Sequence, residues 1–311
     1  MSANSVISIV TPVYFNEANL PDTIPKLLSL RNDFSRYRLE LVFVDDGSGD
    51  RSLTVLLDYQ REYPDIIKVV KLARNFGSMA AIQAGLAHAT GDCIGIIAAD
   101  LQDPPELFLQ MVEYWEKGVK AIFAVRADRE ESWLQKLFSN FYYWAMRKFA
   151  IPCYPSGGFD FFLIDSQISR EINNIHEKNT NIMSLTFWLG HEHVLLPYVR
   201  RKREKGESRW TMGKKIKLFI DSFVAFSYTP VRAMSTIGLL LAAGAFIYGI
   251  FVLISWAFSG IHVKGYAPIV IIISWIGGIQ MMMLGILGEY LWRTLDEVRR
   301  RPSYVIDKIF D

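Results

Sequence analysis

Two apolar stretches, Ser235–Phe258 and Ala267–Gly288, constrain this chain most. Neither contains a charged residue, and each exceeds the roughly 20 residues with which a helix crosses a hydrocarbon core. The more than 200 residues ahead of them read as an ordinary soluble α/β domain. A soluble domain followed by a short membrane hairpin suits an enzyme with one water-soluble substrate and one in the bilayer.

Net charge is only +2 over 311 residues, so no global signal for nucleic acid exists. The apolar fraction of 51% is raised by the two stretches. Cys93 and Cys153 have neither metal-ligand nor C-x-x-C spacing. They are expected to be reduced residues of a cytosolic domain. Met1–Asn4 is short and polar, and Val6–Val13 lacks a basic flank and a cleavage site, so no signal peptide is expected.

Short β-branched runs alternate with helical patterns. Val6–Val13, Glu40–Val44, Ile67–Leu72, Cys93–Ala98 and Lys120–Val125 are predicted strands. Ala18–Leu30, Arg51–Glu62, Ser78–His88 and Pro105–Lys117 are predicted helices. Such alternation implies a mostly parallel sheet covered on both faces, with ligands at the C-terminal strand ends. Pro12–Glu17, Asp45–Asp50, Arg74–Gly77, Asp100–Glu106 and Arg126 stand there.

Trp133–Phe149 is aromatic and basic with helical spacing. Two readings stay open: a helix on the membrane surface, or a helix packed on the sheet. Pro152–Gly158 is a predicted loop and Phe159–Ile164 a further strand. Arg200–Lys217 then holds nine Lys/Arg against two Glu, and Arg293, Arg299, Arg300 and Arg301 follow the second apolar stretch. The loop between the stretches, Ser259–Tyr266, has only Lys264 and His262. This asymmetry predicts an inner (cytoplasmic) membrane protein with the catalytic domain and both termini in the cytoplasm. The predicted organisation is a catalytic domain over 1–210, an amphipathic juxtamembrane helix over 211–233, two membrane helices over 234–290 and a tail over 291–311.

Asp100-Leu-Gln-Asp-Pro-Pro-Glu106 directly follows a predicted strand. Carboxylate and amide oxygens there suit a hard cation such as Mg²⁺ or Mn²⁺, which would neutralise a diphosphate leaving group. The plainer reading is a helix start: Asp103 caps, Pro104 and Pro105 open the helix, and Glu106 complements its dipole. Asp103 is assigned mainly to the cap, Asp100 mainly to the metal. Asp45-Asp46-Gly-Ser-Gly-Asp50 is a weak signal alone, since such clusters form turns. At a strand end its carboxylates also suit a base or ribose, and Tyr14 could stack on a base.

The succession Thr-Pro-Val-Tyr-Phe-Asn-Glu (11–17), Val-Asp-Asp-Gly-Ser (44–48), Ala-Arg-Asn-Phe-Gly (73–77) and Asp-Leu-Gln-Asp-Pro-Pro-Glu (100–106) resembles family-two glycosyltransferases of the GT-A fold. More narrowly, it is similar to polyprenyl-phosphate glycosyltransferases: bactoprenol glucosyltransferases, aminoarabinose transferases and dolichol-phosphate mannose synthases. The similarity continues through Gly206-Glu-Ser-Arg-Trp210, Phe226-Ser-Tyr-Thr-Pro-Val-Arg232 and Leu287-Gly-Glu-Tyr-Leu291. The resemblance implies inverting transfer of one sugar from a nucleotide-diphosphate sugar, a UDP-sugar, to undecaprenyl phosphate, with Mg²⁺ or Mn²⁺ as cofactor. It also implies contact with membrane lipid and a homo-oligomer, a tetramer. Carried over by residue, Pro12, Tyr14, Glu17 and Asp46 hold the nucleoside, and Asp100 and Gln102 bind the metal. Arg126 and Arg203 contact phosphates, and Asp160 stands near the reaction centre as an orienting group or base. Arg209 is likewise assigned to phosphate. Arg200 and Lys202 are expected to serve only the membrane surface, and Asp165 and Asp221 to be structural or cap residues.

Two departures stand out. Ala98 occupies the position of the family's first metal-site carboxylate, and Phe162 that of the Arg in Gly-Asp-Phe-Arg. A weaker or differently ligated metal and a changed donor or phosphate contact are expected. Two alternatives are a processive polysaccharide synthase, whose Gln-x-x-Arg-Trp motif is absent around Arg209-Trp210, and a non-catalytic membrane scaffold.

Overall fold

The computed structural model describes residues 5–127, 133–152, 154–155, 159–175, 177, 181–201, 221–227, 229–259 and 266–311. Eight strands make one sheet: β1 (Val6–Val13), β2 (Arg38–Asp45), β3 (Ile67–Leu72), β4 (Cys93–Ile96), β5 (Ala121–Arg126), β6 (Phe161–Asp165), β7 (His193–Tyr198) and β8 (Ile306–Phe310). Their order is β7-β5-β6-β4-β1-β2-β3-β8. The predicted mostly parallel sheet is present, with β6 and β8 running antiparallel to their neighbours.

The central strands are β-branched because both of their faces are buried. Ile7, Ile9, Leu41 and Phe43 pack under α1 (Leu20–Asp33), α2 (Ser52–Glu62) and α4 (Leu107–Glu116). The opposite face carries Val10 and Val44 under α3 (Ser78–His88). There α3 lies so close that a Cβ on Gly85 would meet Val10 at 2.2 Å. Phe108 of α4 is fully buried against Phe161, and its loss to Ala would cost about 3–5 kcal/mol.

The predicted start of α4 needs correction. Its N-cap is Glu106, and Asp103 does not cap it. Asp103 and Pro104 each precede a proline, which pushes both out of helical geometry. A lead-in turn carries the chain instead, with Leu107 N–H on the Pro104 carbonyl and Phe108 N–H on that of Pro105. Asp165 does cap a helix, α6 (Ser166–Asn174), by accepting from Gln167 N–H.

Two strands escaped sequence reading. β7 is an edge strand, which is why Pro197 is tolerated within it. β8 lies in the segment predicted to be a tail. Compact packing therefore groups Met1–Phe223 with Pro302–Asp311, and Val224–Arg301 separately.

The predicted helix over Trp133–Phe149 is present as α5. Ala145 and Met146 are buried, whereas Phe141 and Trp144 are exposed. After α7 (Ile182–Trp188) and a helical stretch at 221–226, the second unit holds two long helices, α8 (Thr229–Ser259) and α9 (Tyr266–Val298). Among the described residues one helical stretch, Thr229–Tyr248, is long and apolar enough to cross a membrane.

Candidate active site

The C-terminal strand ends form two adjoining clusters. In the first, the loops after β1 and β2 are tied together. Phe15 N–H donates to the Ser48 hydroxyl, Asn16 N–H to that of Ser52 at 2.8 Å, and Arg51 N–H to the Glu17 carboxylate at 3.1 Å. Phe15 takes a φ of 54° as the chain turns here.

Asp46 fixes a third loop. One oxygen accepts Phe76 N–H at 2.7 Å, and the other accepts Gly77 N–H and the Asn75 amide at 2.9 Å. Gly47 makes this approach possible, with a φ of 67° and space so tight that a Cβ would meet the Arg74 backbone at 2.6 Å. Burial raises the Asp46 carboxyl above its ordinary pKa, and the two backbone donors oppose that shift. Burial likewise raises Asp45. Of the predicted nucleoside residues, Glu17 and Asp46 thus bind loop amides here. Tyr14 and Pro12 are half-buried beside them, with Tyr14 edge-on to Phe15 at 4.7 Å.

The second cluster gathers residues from the ends of β5 and β7, from the loop after β4, from the segment leading into the antiparallel β6 and from the segment after β7. Arg126, at the end of β5, places one guanidinium nitrogen 2.5–2.6 Å from both carboxylate oxygens of Asp160. Arg126 is the register partner of Tyr198 on β7, and the Tyr198 hydroxyl donates to Asp103. Arg200 then stands between two carboxylates, its Nε 3.2 Å from Asp103 and a terminal nitrogen 3.6 Å from Asp160. Burial, reinforced by the Asp160 charge, lifts the Asp103 carboxyl to about 6, while Arg200 and Tyr198 pull it down. Burial works against the charge of Arg126, yet Asp160 holds it more firmly protonated than usual. Burial and the Asp103 charge raise the Tyr198 hydroxyl.

Asp100 is buried and Gln102 half-buried. The Asp100 carboxylate accepts Gln102 N–H at 3.2 Å, and Leu101 between them has a φ of 54°. The loop is zipped to the segment after β7, since Arg201 N–H donates to the Gln102 carbonyl at 2.8 Å and the Gln102 amide to that of Arg201. Among the described residues no group of three His, Cys, Asp or Glu side chains could ligate a metal. One carboxylate and one amide still fit a Mg²⁺-type ion, which draws its remaining ligands from phosphates and water.

Arg203 and Arg209 lie outside the described residues. Arg200, expected from its sequence context to serve the membrane surface, stands within ion-pair distance of Asp103 and Asp160. Sequence reasoning missed Tyr198 and the role of Asp103, since no local pattern marks an edge strand that joins them. Phe162 is fully buried among Phe123 and Phe159, so its side chain belongs to the core.

Comparison with known proteins adds an independent line. The sequence model of glycosyl transferase family 2 matches residues 8–173. An uncharacterised glycosyltransferase of Bacillus subtilis is 34% identical over 100% of this chain and 96% of its own length. A prophage bactoprenol glucosyl transferase homologue of Escherichia coli is 33% identical over 97% of this chain and 99% of its own. A prophage-derived bactoprenol glucosyl transferase of Shigella flexneri is 32% identical, covering 97% of each chain.

Proposed function

This chain belongs to glycosyl transferase family 2, and we propose that it moves a single sugar from a UDP-sugar to undecaprenyl phosphate with inversion at the anomeric carbon. One observation carries the reading. The Arg126–Asp160 pair, with Arg200 beside it, stands at the strand ends next to Asp100 and Gln102. Guanidinium groups suit phosphate, and the acidic loop suits a cation shared with a diphosphate. The bactoprenol glucosyl transferases similar to this chain over nearly its full length support a lipid-linked acceptor.

A phosphomonoester acceptor has a second pKa near 6 and is largely a dianion at neutral pH. It needs orientation and charge screening more than a strong base. In the proposed reaction a phosphate oxygen bonds to the anomeric carbon from the face opposite the diphosphate. The bond from that carbon to the diphosphate oxygen breaks, and the nucleoside diphosphate departs with its electron pair. Asp160 orients Arg126, and both arginines screen phosphate charge. Asp100 and Gln102 would hold Mg²⁺ or Mn²⁺, which neutralises the leaving diphosphate when bound.

Membrane attachment through two helices is part of the same proposal. The chain leaves the sheet-containing unit after residue 223 and rejoins it at 302, which supports an even number of crossings. The Lys/Arg asymmetry supports a cytoplasmic sheet. The test is to supply radiolabelled UDP- and GDP-sugars to membranes with added polyprenyl phosphate. Label entering the organic phase only when chain and acceptor are both present is the expected result. No extractable product from any pair would overturn the reading.

A further inference from the structure

Four charged groups alternate in a row: Asp103, Arg200, Asp160 and Arg126. Asp103 has a side chain only 1% exposed and is reached by Tyr198, yet it caps no helix. Asp103 Oδ2 and Arg126 Nε are buried without a hydrogen-bond partner among the described residues, and Arg200 Nε meets Asp103 at 3.2 Å as an ion pair without hydrogen-bond geometry. A buried carboxylate oxygen and a buried guanidinium Nε–H left unmet are costly unless the arrangement, whose two arginine side chains are half-buried, serves a further partner. Two arginines facing one shared carboxylate, with spare donors, match a phosphate oxyanion.

Resting on the transferase reading, we propose that Arg200 joins Arg126 in holding a substrate phosphate, and that Asp103 is the positioning residue that aims Arg200 there. Arg200 leaves the edge of the sheet two residues beyond Tyr198 and reaches the site because Asp103 and the Tyr198 hydroxyl fix its course. Without the Asp103 charge its guanidinium would lose one of its two anchors and turn toward solvent. The phosphate belongs either to the donor diphosphate or to the acceptor, both of the same chemistry.

The test uses the full-length protein in detergent, assayed for transfer at varied donor and varied polyprenyl phosphate, with UDP binding measured separately by calorimetry. Arg200→Ala is expected to lower kcat/KM about ten- to a hundredfold, the loss of one charge-assisted contact. Asp103→Asn should fall about as far, and the double variant no further than Arg200→Ala alone, because both changes remove one interaction. A rise in KM for polyprenyl phosphate with unchanged UDP affinity assigns the phosphate to the acceptor. A drop in UDP affinity assigns it to the donor. Additive losses, an Asp103→Asn variant within twofold of wild type, or a loss confined to kcat overturn the proposal. If Asp103→Asn lowers the thermal midpoint too far to assay, Arg200→Ala carries the test, and near-wild-type kinetics there refute it. A wild type with no transferase activity refutes the transferase reading alone. UDP and inorganic phosphate affinities of wild type and Arg200→Ala then decide this inference, with equal affinities overturning it.

Discussion

The Lys71 ammonium lies 2.6 Å from the Asp307 carboxylate, across 236 positions of chain. The pair joins β3 to β8, so the last residues shield an edge strand that would otherwise offer unpaired backbone groups. Phe310 packs on the core, and the Ser303 hydroxyl donates to Gln83 of α3 at 2.7 Å. Removing 302–311 is expected to lower the thermal midpoint and to promote self-association. Lys71→Ala should leave the thermal midpoint nearly unchanged, because the pair is solvent-exposed. Thermal unfolding with light scattering checks both, and an unaltered truncated protein would contradict the role given to β8.

Asp46 is expected to matter through the 74–77 loop. Asp46→Ala leaves two backbone N–H groups without their acceptor, at a cost of about 2–3 kcal/mol. Denaturant titration should show the loss and UDP calorimetry a weakened donor. Stability within about 0.5 kcal/mol of wild type would contradict the assignment.

Activity is expected to need a divalent cation, and Asp100→Asn to lose most of it. Full turnover in excess chelator would refute this. Ala98→Asp should lower the Mn²⁺ concentration for half-maximal activity by restoring a carboxylate. An unchanged or higher requirement would mean that other ligands complete the site.

Topology is open to thiol labelling in intact cells. Cys93 is fully buried, so replacing Cys153 gives a quiet background. A cysteine at Ser259 should react with an impermeant reagent, and one at Arg301 only after the membrane is opened. The reverse pattern would remove the case for a cytoplasmic donor.

Arg203→Ala and Arg209→Ala are each expected to reduce lipid-linked sugar about ten- to a hundredfold, with the protein still in the membrane fraction. Lys202→Ala should cost much less, as diffuse lipid contacts do. Equal small losses at all three positions would reduce the segment to a membrane patch.

Several features were legible in the residues alone. Period, β-branching and length marked β1 and β3 at their observed bounds, and the clusters at 12–17, 45–50 and 100–106 do stand at or just beyond the C-terminal ends of strands. These are local signals, carried by neighbouring side chains and by the backbone preferences of Gly and Pro. Tertiary structure alone decided that Asp103 meets Tyr198 and Arg200 instead of capping α4, that Phe162 faces the core, and that 306–310 is a strand. Each depends on a partner far along the chain: β7 brings Tyr198 to Asp103 across 95 positions, and β3 gives β8 its ladder. A polar residue has several acceptable partners in sequence, and the geometry of the sheet chooses among them because a buried charge must be met by whichever group is near.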